Sequence, residues 1–483
     1  MSRPRPAVPA SHRVDPVLRA ALEAELDAAV ALRQALHRDP RPSGDEGDSR
    51  DLVLEALADV LPAEAVPQAV ADTGAMVRLG TAPNGGPPAV AVRAELDALP
   101  VVERTGLPFS ATGSVAHVCG HDVHVAALVA VVRALARAGA DRLPAPLLAV
   151  FQPREEKAPS GAADVAADPA FTAHGVGAVL AVHVQPELPR GVVSVRGGPV
   201  NASSDEIEIV VHGRGGHGGY PHRTRDPVLA LAQVVAGVHH VVSRRVDPMT
   251  AGVITLGQLQ AGSAPNIVPE TASARGTVRA LDASRDELLA AVREVVEGTA
   301  AAYGCTATLT VVPNEPAVVN DEALARTVAA ALDGPRREDR APRVDGHGAE
   351  GHGAEGNGAE GNGTDGSATG GSVDHRGTAD PTGLVLDTTF RSCGADDFSH
   401  YGDVLPSLML FVGTAATGTT PGAGPGLHHP EFSPDDAMVG EVARALLAAV
   451  VAAGAALVPA PATGSRPQPV PESPSANGAD ESS

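Results

Sequence analysis

His117-Val118-Cys119-Gly120-His121-Asp122-Val123-His124 places three histidines and one cysteine in eight positions. Cys119 and His121 stand two apart around a glycine, so on an extended or turning backbone both side chains reach one cation, which helical spacing would prevent. Thiolate and imidazole are first-choice ligands for zinc and similar divalent ions. The apolar run from Val125 to Leu135 reads as a buried helix that fixes the pair at its N-terminal end. By itself a cysteine beside histidines is more often a buried thiol with incidental neighbours, so the weight falls on the rest of the chain.

Leu147 to Phe151 reads as a continuous apolar strand that delivers the adjacent carboxylates Glu155 and Glu156 just beyond its end. A second apolar strand, Ala178 to Val182, reads as ending directly on His183, and Gly426-Leu427-His428-His429-Pro430 adds imidazoles near the C-terminus. Open α/β sheets build sites in this way, at the carboxyl edges of their strands. Taken alone, the Glu155-Glu156 pair reads more readily as a plain acidic loop.

These residues resemble the amidohydrolase branch of the dinuclear metallopeptidases, which includes aminoacylase, carboxypeptidase G, hippurate hydrolase and the plant auxin-conjugate hydrolases. The resemblance runs from about Leu32 to about Val451 and rests on five motifs in order. They are Leu36-His37-Arg38 with Pro40; Arg93-Ala94-Glu95-Leu96-Asp97-Ala98-Leu99-Pro100; the Cys119 cluster; Glu155-Glu156; and Gly215-Gly216-His217 with Pro221-His222 and Asp226-Pro227. Glu95 replaces the Asp usual in this branch, and Asp396-Asp397-Phe398 stands where Glu-Asp-Phe is usual.

By matched position the resemblance implies that Cys119, His121, Glu156, His183 and His428 hold two divalent ions, Mn2+ or Zn2+, with the Cys119 thiolate able to bridge them. His429 is the neighbouring alternative to His428. Asp97 is implied behind the metals as the group that orients a ligand. Glu155 is implied as the base that takes a proton from an attacking water and passes it to the leaving amine. His217 is implied as an oxyanion donor from a lid, acting within the chain or across a dimer, and Asn266 and Arg279 as groups gripping a substrate carboxylate. For Arg279 a structural salt bridge is the equal alternative.

The chain has 483 residues, room for two domains. Only 2% are aromatic and none is Trp, so the core must be aliphatic, and Lys157 is the sole lysine. A formal net charge of −22 opposes nucleic acid and anionic membrane surfaces, since polyanion binding rests on Lys and Arg. Three scattered cysteines make no disulfide framework. With no apolar signal core near the N-terminus and no run of about 18 uncharged apolar residues, the expected location is cytoplasmic.

Asp15 caps a helical pattern with Pro16 in its first turn, and β/α alternation to about Val184 implies a mostly parallel mixed sheet flanked by helices. From Ser203, charged and apolar residues alternate as in an antiparallel strand. The expected fold class is therefore α/β, with an inserted α+β satellite that the resemblance makes a lid and dimerisation domain. The boundaries read as 1–14 disordered, 15–198 and 314–457 catalytic, 199–313 satellite, a Gly-rich insertion at 336–383, and a disordered tail at 458–483.

The insertion repeats Gly-His-Gly-Ala-Glu with period five, offers nothing apolar to bury, and reads as a flexible surface loop in which His347 and His352 are solvated. Loop closure costs only about 0.6 kcal/mol per doubling of length. Replacing residues 346–372 by a short Gly-Ser linker should therefore leave activity and melting temperature nearly unchanged, and a large loss of either would refute the loop assignment.

The leading functional expectation is a metal-dependent amidohydrolase acting on N-acyl amino acids, as a homodimer. A dipeptidase or carboxypeptidase on the same scaffold and a non-catalytic metal-binding protein are the alternatives.

Overall fold

Every residue of Ala89–Glu95 and Leu147–Gln152 is buried, as their near-unbroken apolar sequence requires of parallel strands covered on both faces. The computed structural model describes residues 12–81, 86–281, 284–333, 383–416 and 418–458. Apart from their margins, the expected disordered start, the Gly-rich insertion with His347 and His352, and the tail lie outside these residues.

Eight strands form one sheet. Their spatial order is Gln68–Val70, Gly74–Leu79, Leu147–Gln152, Ala89–Glu95, Val176–Pro189, Ser407–Ala415, Val192–Ser194 and Val385–Asp387. The four from Leu147–Gln152 to Ser407–Ala415 are mutually parallel, with antiparallel pairings toward both sides. Ser407–Ala415 comes late in the chain, yet it lies between two strands that precede it by about 200 residues.

Helices Pro16–Arg38, His121–Ala138, Glu322–Leu332 and Met438–Leu457 pack together on one face of this sheet. The Asp15 carboxylate caps the first of them by accepting from Val17 N–H at 2.8 Å, with Pro16 in its first turn. Met438–Leu457 is long and apolar enough to cross a membrane, but it is the buried central helix of this core. The other face is covered by Ala162, Val165, Phe171, Phe398 and Tyr401, all with 2% exposure or less.

Residues 203–313 carry a second sheet, antiparallel throughout, in the order Gly252–Ala261, Thr271–Ala280, Ser203–His212, Thr306–Pro313. Helices Pro227–Arg245 and Arg285–Ala302 lie against one of its faces over Ile207, Ile209, Val211 and Val278. Alternation turns Ser204 and Glu206 to the opposite face, the one that fronts the main sheet's cavity described below. The α/β class with an inserted α+β unit is thus the architecture observed.

Two expectations require correction. The strand expected to end on His183 continues through it to Pro189, because Ser407–Ala415 runs alongside and supplies hydrogen-bond partners past that point. His183 is therefore a mid-strand residue paired with Phe411. The stretch from Pro434 to Ala453 also reads as one helix in the sequence, but the last helix starts only at Met438. The polar groups before it are engaged elsewhere: Asp436 takes Arg33 and Gln34, Ser433 takes Arg33, and Asp435 accepts from Ala437 N–H. Strands of only three or four residues, such as Gln68–Val70 and Gly198–Asn201, were too short to leave a periodic signal.

Candidate metal centre

Gly120 adopts φ 95°, and a Cβ there would stand 2.4 Å from the Val184 side chain, so only glycine fits between Cys119 and His121. The turn leaves His121 as the first residue of helix His121–Ala138 and brings Cys119 Sγ to 3.4 Å from His183 Nε2.

Both imidazoles have their tautomer set from behind. His121 Nδ1–H donates to the Asp97 carbonyl at 2.8 Å and His183 Nδ1–H to the Val184 carbonyl at 2.7 Å. Each thus turns an Nε2 lone pair inward, and that of His121 is buried with no hydrogen-bond partner. This is the arrangement that metal-binding histidines adopt.

The Glu155-Glu156 loop follows strand Leu147–Gln152 and approaches from the adjacent strand end. Carboxylate oxygens of Glu155 and Glu156 lie 3.8 and 3.9 Å from His121 Nε2. Glu156 also lies 3.4 Å from Nε2 of His428, a half-exposed residue at φ 66° whose N–H donates to the Val118 carbonyl at 2.7 Å. Potential ligand atoms therefore fall into overlapping groups: Cys119, His121 and His183; Cys119, Glu156 and His428; His121, Glu155 and Glu156. Within each group they lie within 4.8 Å of one another.

One thiol, three imidazoles and a carboxylate pair, with an unpartnered nitrogen aimed inward, fit borderline-soft divalent cations. Without cations the electrostatics are unfavourable. Burial, then the charges of Glu156, Glu155 and Glu95, push the Cys119 thiol well above its ordinary pKa. Burial also brings His183 down to about 3, with His124 adding to the effect. Burial, reinforced by Glu156, Asp396 and Asp397, raises Glu155 well above the carboxylate range. For Glu156 burial is outweighed by contacts with His428, His121 and Cys119, and its pKa falls.

Asp97 is buried beside His121. Its Oδ2 accepts from Ser43 at 2.6 Å and from Glu156 N–H at 2.9 Å, and its Oδ1 stands 3.8 Å from His121 Nδ1. Glu95 is buried and bonded to Arg93 and His124. His124 has both ring nitrogens occupied: Nε2 accepts from Val184 N–H at 3.0 Å, so Nδ1–H donates to Glu95 at 2.9 Å, leaving no lone pair for a metal. His429 Nδ1 accepts from Glu431 N–H at 3.2 Å.

A layer missed from sequence lies beneath these groups. Arg93, fully buried, joins Glu95, Gln152, Asp396 and Asp397. Burial drives Asp397 up to about 7 against the pull of Arg93. In the sequence this layer shows only as separate pieces, Arg93 and Glu95 in one motif and Asp396-Asp397 in another.

The centre opens on a cavity of about 600 Å³ between the two sheets. Arg279 lines it, its guanidinium donating to the Cys393 carbonyl at 3.0 Å. His217 and Asn266 are not among the lining residues of their own chain. They sit together on the short ribbon of Gly216–His217 and Ile267–Val268, where the Asn266 carbonyl accepts from Gly218 N–H at 2.8 Å. His217 is exposed there, its Nδ1 accepting from Gly219 N–H at 2.9 Å.

Residues 91–350 match the model of peptidase family M20/M25/M40. The chain is 36% identical over 298 residues to the N-acetylcysteine deacetylase of Bacillus subtilis strain 168, covering 60% of this chain and 76% of that protein. It is 34% identical over 286 residues to thermostable carboxypeptidase 1 of Saccharolobus solfataricus, covering 58% and 70%. The crystal structure of a Bacillus subtilis dinuclear metal-binding peptidase of the M20 family superposes with a TM-score of 0.65 at 26% identity, over 89% of this chain and 98% of that one. With the family model spanning more than half of the sequence, and the two-sheet architecture shared with a solved member, this chain belongs to peptidase family M20/M25/M40.

Proposed function

We propose that the chain is a metal-dependent amidohydrolase that cleaves the acyl amide of N-acyl amino acids. One observation carries the reading: Cys119, Glu156, His183 and His428, drawn from overlapping groups of potential ligands, line one cavity together with Glu155 and Arg279. Likeness to an N-acetylcysteine deacetylase supports the substrate class.

Cys119, His121, Glu156, His183 and His428 are the ligands in this reading, and Mn2+ or Zn2+ the ions. When bound, the ions polarise the amide carbonyl and lower the pKa of water toward about 7. Glu155 takes the proton of the attacking water and returns it to the leaving nitrogen. General acid–base contributions of this kind run to about 100–10,000-fold. Arg279 binds the carboxylate next to the scissile amide and so fixes the carbonyl, converting remote binding energy into orientation.

The oxyanion role of His217 requires delivery across a homodimer, because His217 lies outside its own chain's cavity. The exposed edge strand Gly252–Ala261, with Val253 and Leu259 facing solvent, supports such a dimer. Asn266, beside His217, would arrive with it. A cytoplasmic location belongs to the same reading.

A panel of acetyl, longer fatty acyl, benzoyl and indoleacetyl amino acids, run beside their carboxamides and plain dipeptides with added manganese or zinc, tests the substrate. Strong preference for acyl amino acids over both controls is expected. Equal turnover of the carboxamides would sink the carboxylate anchor. Preference for dipeptides would favour the peptidase reading that the carboxypeptidase relative represents.

A further inference from the structure

Glu46 is fully buried at the start of helix Gly47–Leu57, yet its carboxylate caps nothing in that helix. Its Oε1 accepts from Gly44 N–H and Arg154 N–H, each at 2.8 Å, and its Oε2 accepts from the Thr73 hydroxyl at 2.5 Å.

Arg154 is the residue before Glu155. It adopts φ 55°, a left-handed conformation that a long side chain rarely takes and that the surroundings must impose. The guanidinium does not impose it, since it runs outward to Asp164. The imposing contacts are to backbone: Arg154 N–H goes to Glu46, and the Arg154 carbonyl accepts from Gly161 N–H at 2.9 Å. On the other side of Glu155, Glu156 N–H goes to Asp97 at 2.9 Å. Buried carboxylates thus hold the peptide N–H groups of both residues that flank Glu155.

The bend at Arg154 has a chemical consequence. It sends Glu156 toward Cys119 and His428 while Glu155 faces Asp396 and Asp397. A relaxed, right-handed or extended Arg154 would redirect both side chains together.

We propose that Glu46 is a positioning residue for the Glu155-Glu156 pair, and that its hydrogen bond to Arg154 N–H maintains the left-handed bend that aims the pair into the site. The proposal rests on the assignment of Glu155 as base. What the site demands of residue 46 is one oxygen for two backbone donors and a second polar atom for Thr73. A glutamine meets that demand, because its amide oxygen accepts both N–H groups and its NH2 donates to the hydroxyl oxygen.

In metal-loaded enzyme, Glu46→Ala should lower kcat by about 100-fold, the scale of a misplacement of about 1 Å, and hold its ions less tightly because Glu156 moves with Glu155, while KM stays near wild type. Glu46→Gln should retain most of the turnover that the alanine variant loses. Adding Arg154→Gly to Glu46→Ala should restore about tenfold, since glycine takes positive φ without support.

Amide exchange by mass spectrometry on ion-free protein gives a readout apart from activity: the peptide spanning residues 153–158 should exchange faster in Glu46→Ala than in wild type. Wild-type kcat in Glu46→Ala, no recovery on adding Arg154→Gly, or unchanged exchange would each overturn the proposal. If Glu46→Ala does not fold, Glu46→Asp, which withdraws the carboxylate by one methylene, takes its place with the same expected outcomes. Failure of the base assignment shows separately, as full turnover in Glu155→Gln, while the exchange measurement reads the Glu46 contact alone.

Discussion

Glu155→Gln is expected to keep two bound ions per chain and to lose about 100–10,000-fold in kcat, because an amide cannot accept the proton of the attacking water. Distance to His121 does not separate the two glutamates, at 3.8 and 3.9 Å. Their other neighbours do. Glu156 is grouped with Cys119 and His428, both metal-binding types, and contacts with them lower its pKa. Glu155 is grouped with Asp396 and Asp397, which with burial keep a proton on it more readily. Glu156→Gln should accordingly lose metal, and with it turnover. Elemental analysis beside steady-state kinetics checks both variants, and the reverse pattern would mean that the roles are exchanged.

Chelation should abolish activity, and Mn2+ or Zn2+ should restore it with two ions per chain at saturation. His183→Ala removes the lone pair nearest Cys119 Sγ. It should release one ion or weaken both, since a shared thiolate couples them. Retention of two tight ions at full rate would remove His183 from the ligand set. Loading also requires the Cys119 proton to leave, and the surroundings hold that proton firmly. Metal affinity should therefore rise by about tenfold per pH unit while the thiol is protonated, and a flat profile would argue against thiolate ligation.

The main architecture was legible because parallel strands buried on both faces leave apolar runs, and the intervening helices leave their own period. The Cys119 turn was legible because its spacing is local. His183 was found although its strand was cut short, since the pairing that extends Val176–Pro189 comes from residues more than 200 positions away. The charged layer of Arg93, Glu95, Asp396 and Asp397 was not legible as a unit. Charged residues read as solvated until a fold buries them against one another, and Arg93 and Asp397 are 304 positions apart. Glu46 was missed for the same reason. In sequence it is one acid in an acidic turn, and only the fold brings the Arg154 peptide to it.

The place of Ser407–Ala415 between Val176–Pro189 and Val192–Ser194 bears on how the molecule comes into being. During synthesis those two earlier strands emerge long before the one that separates them, and they cannot pair with each other without closing its slot. A chain stalled or cleaved ahead of residue 407 would present two apolar strand margins of unpaired N–H and C=O groups, the kind of surface that recruits foreign strands. It would also lack His428. Closure of the sheet and, with the ligand set proposed above, completion of the ion site therefore both wait for the C-terminal segment, and a ribosome-bound or proteolysed N-terminal portion is a species for chaperones to guard, not a smaller working enzyme.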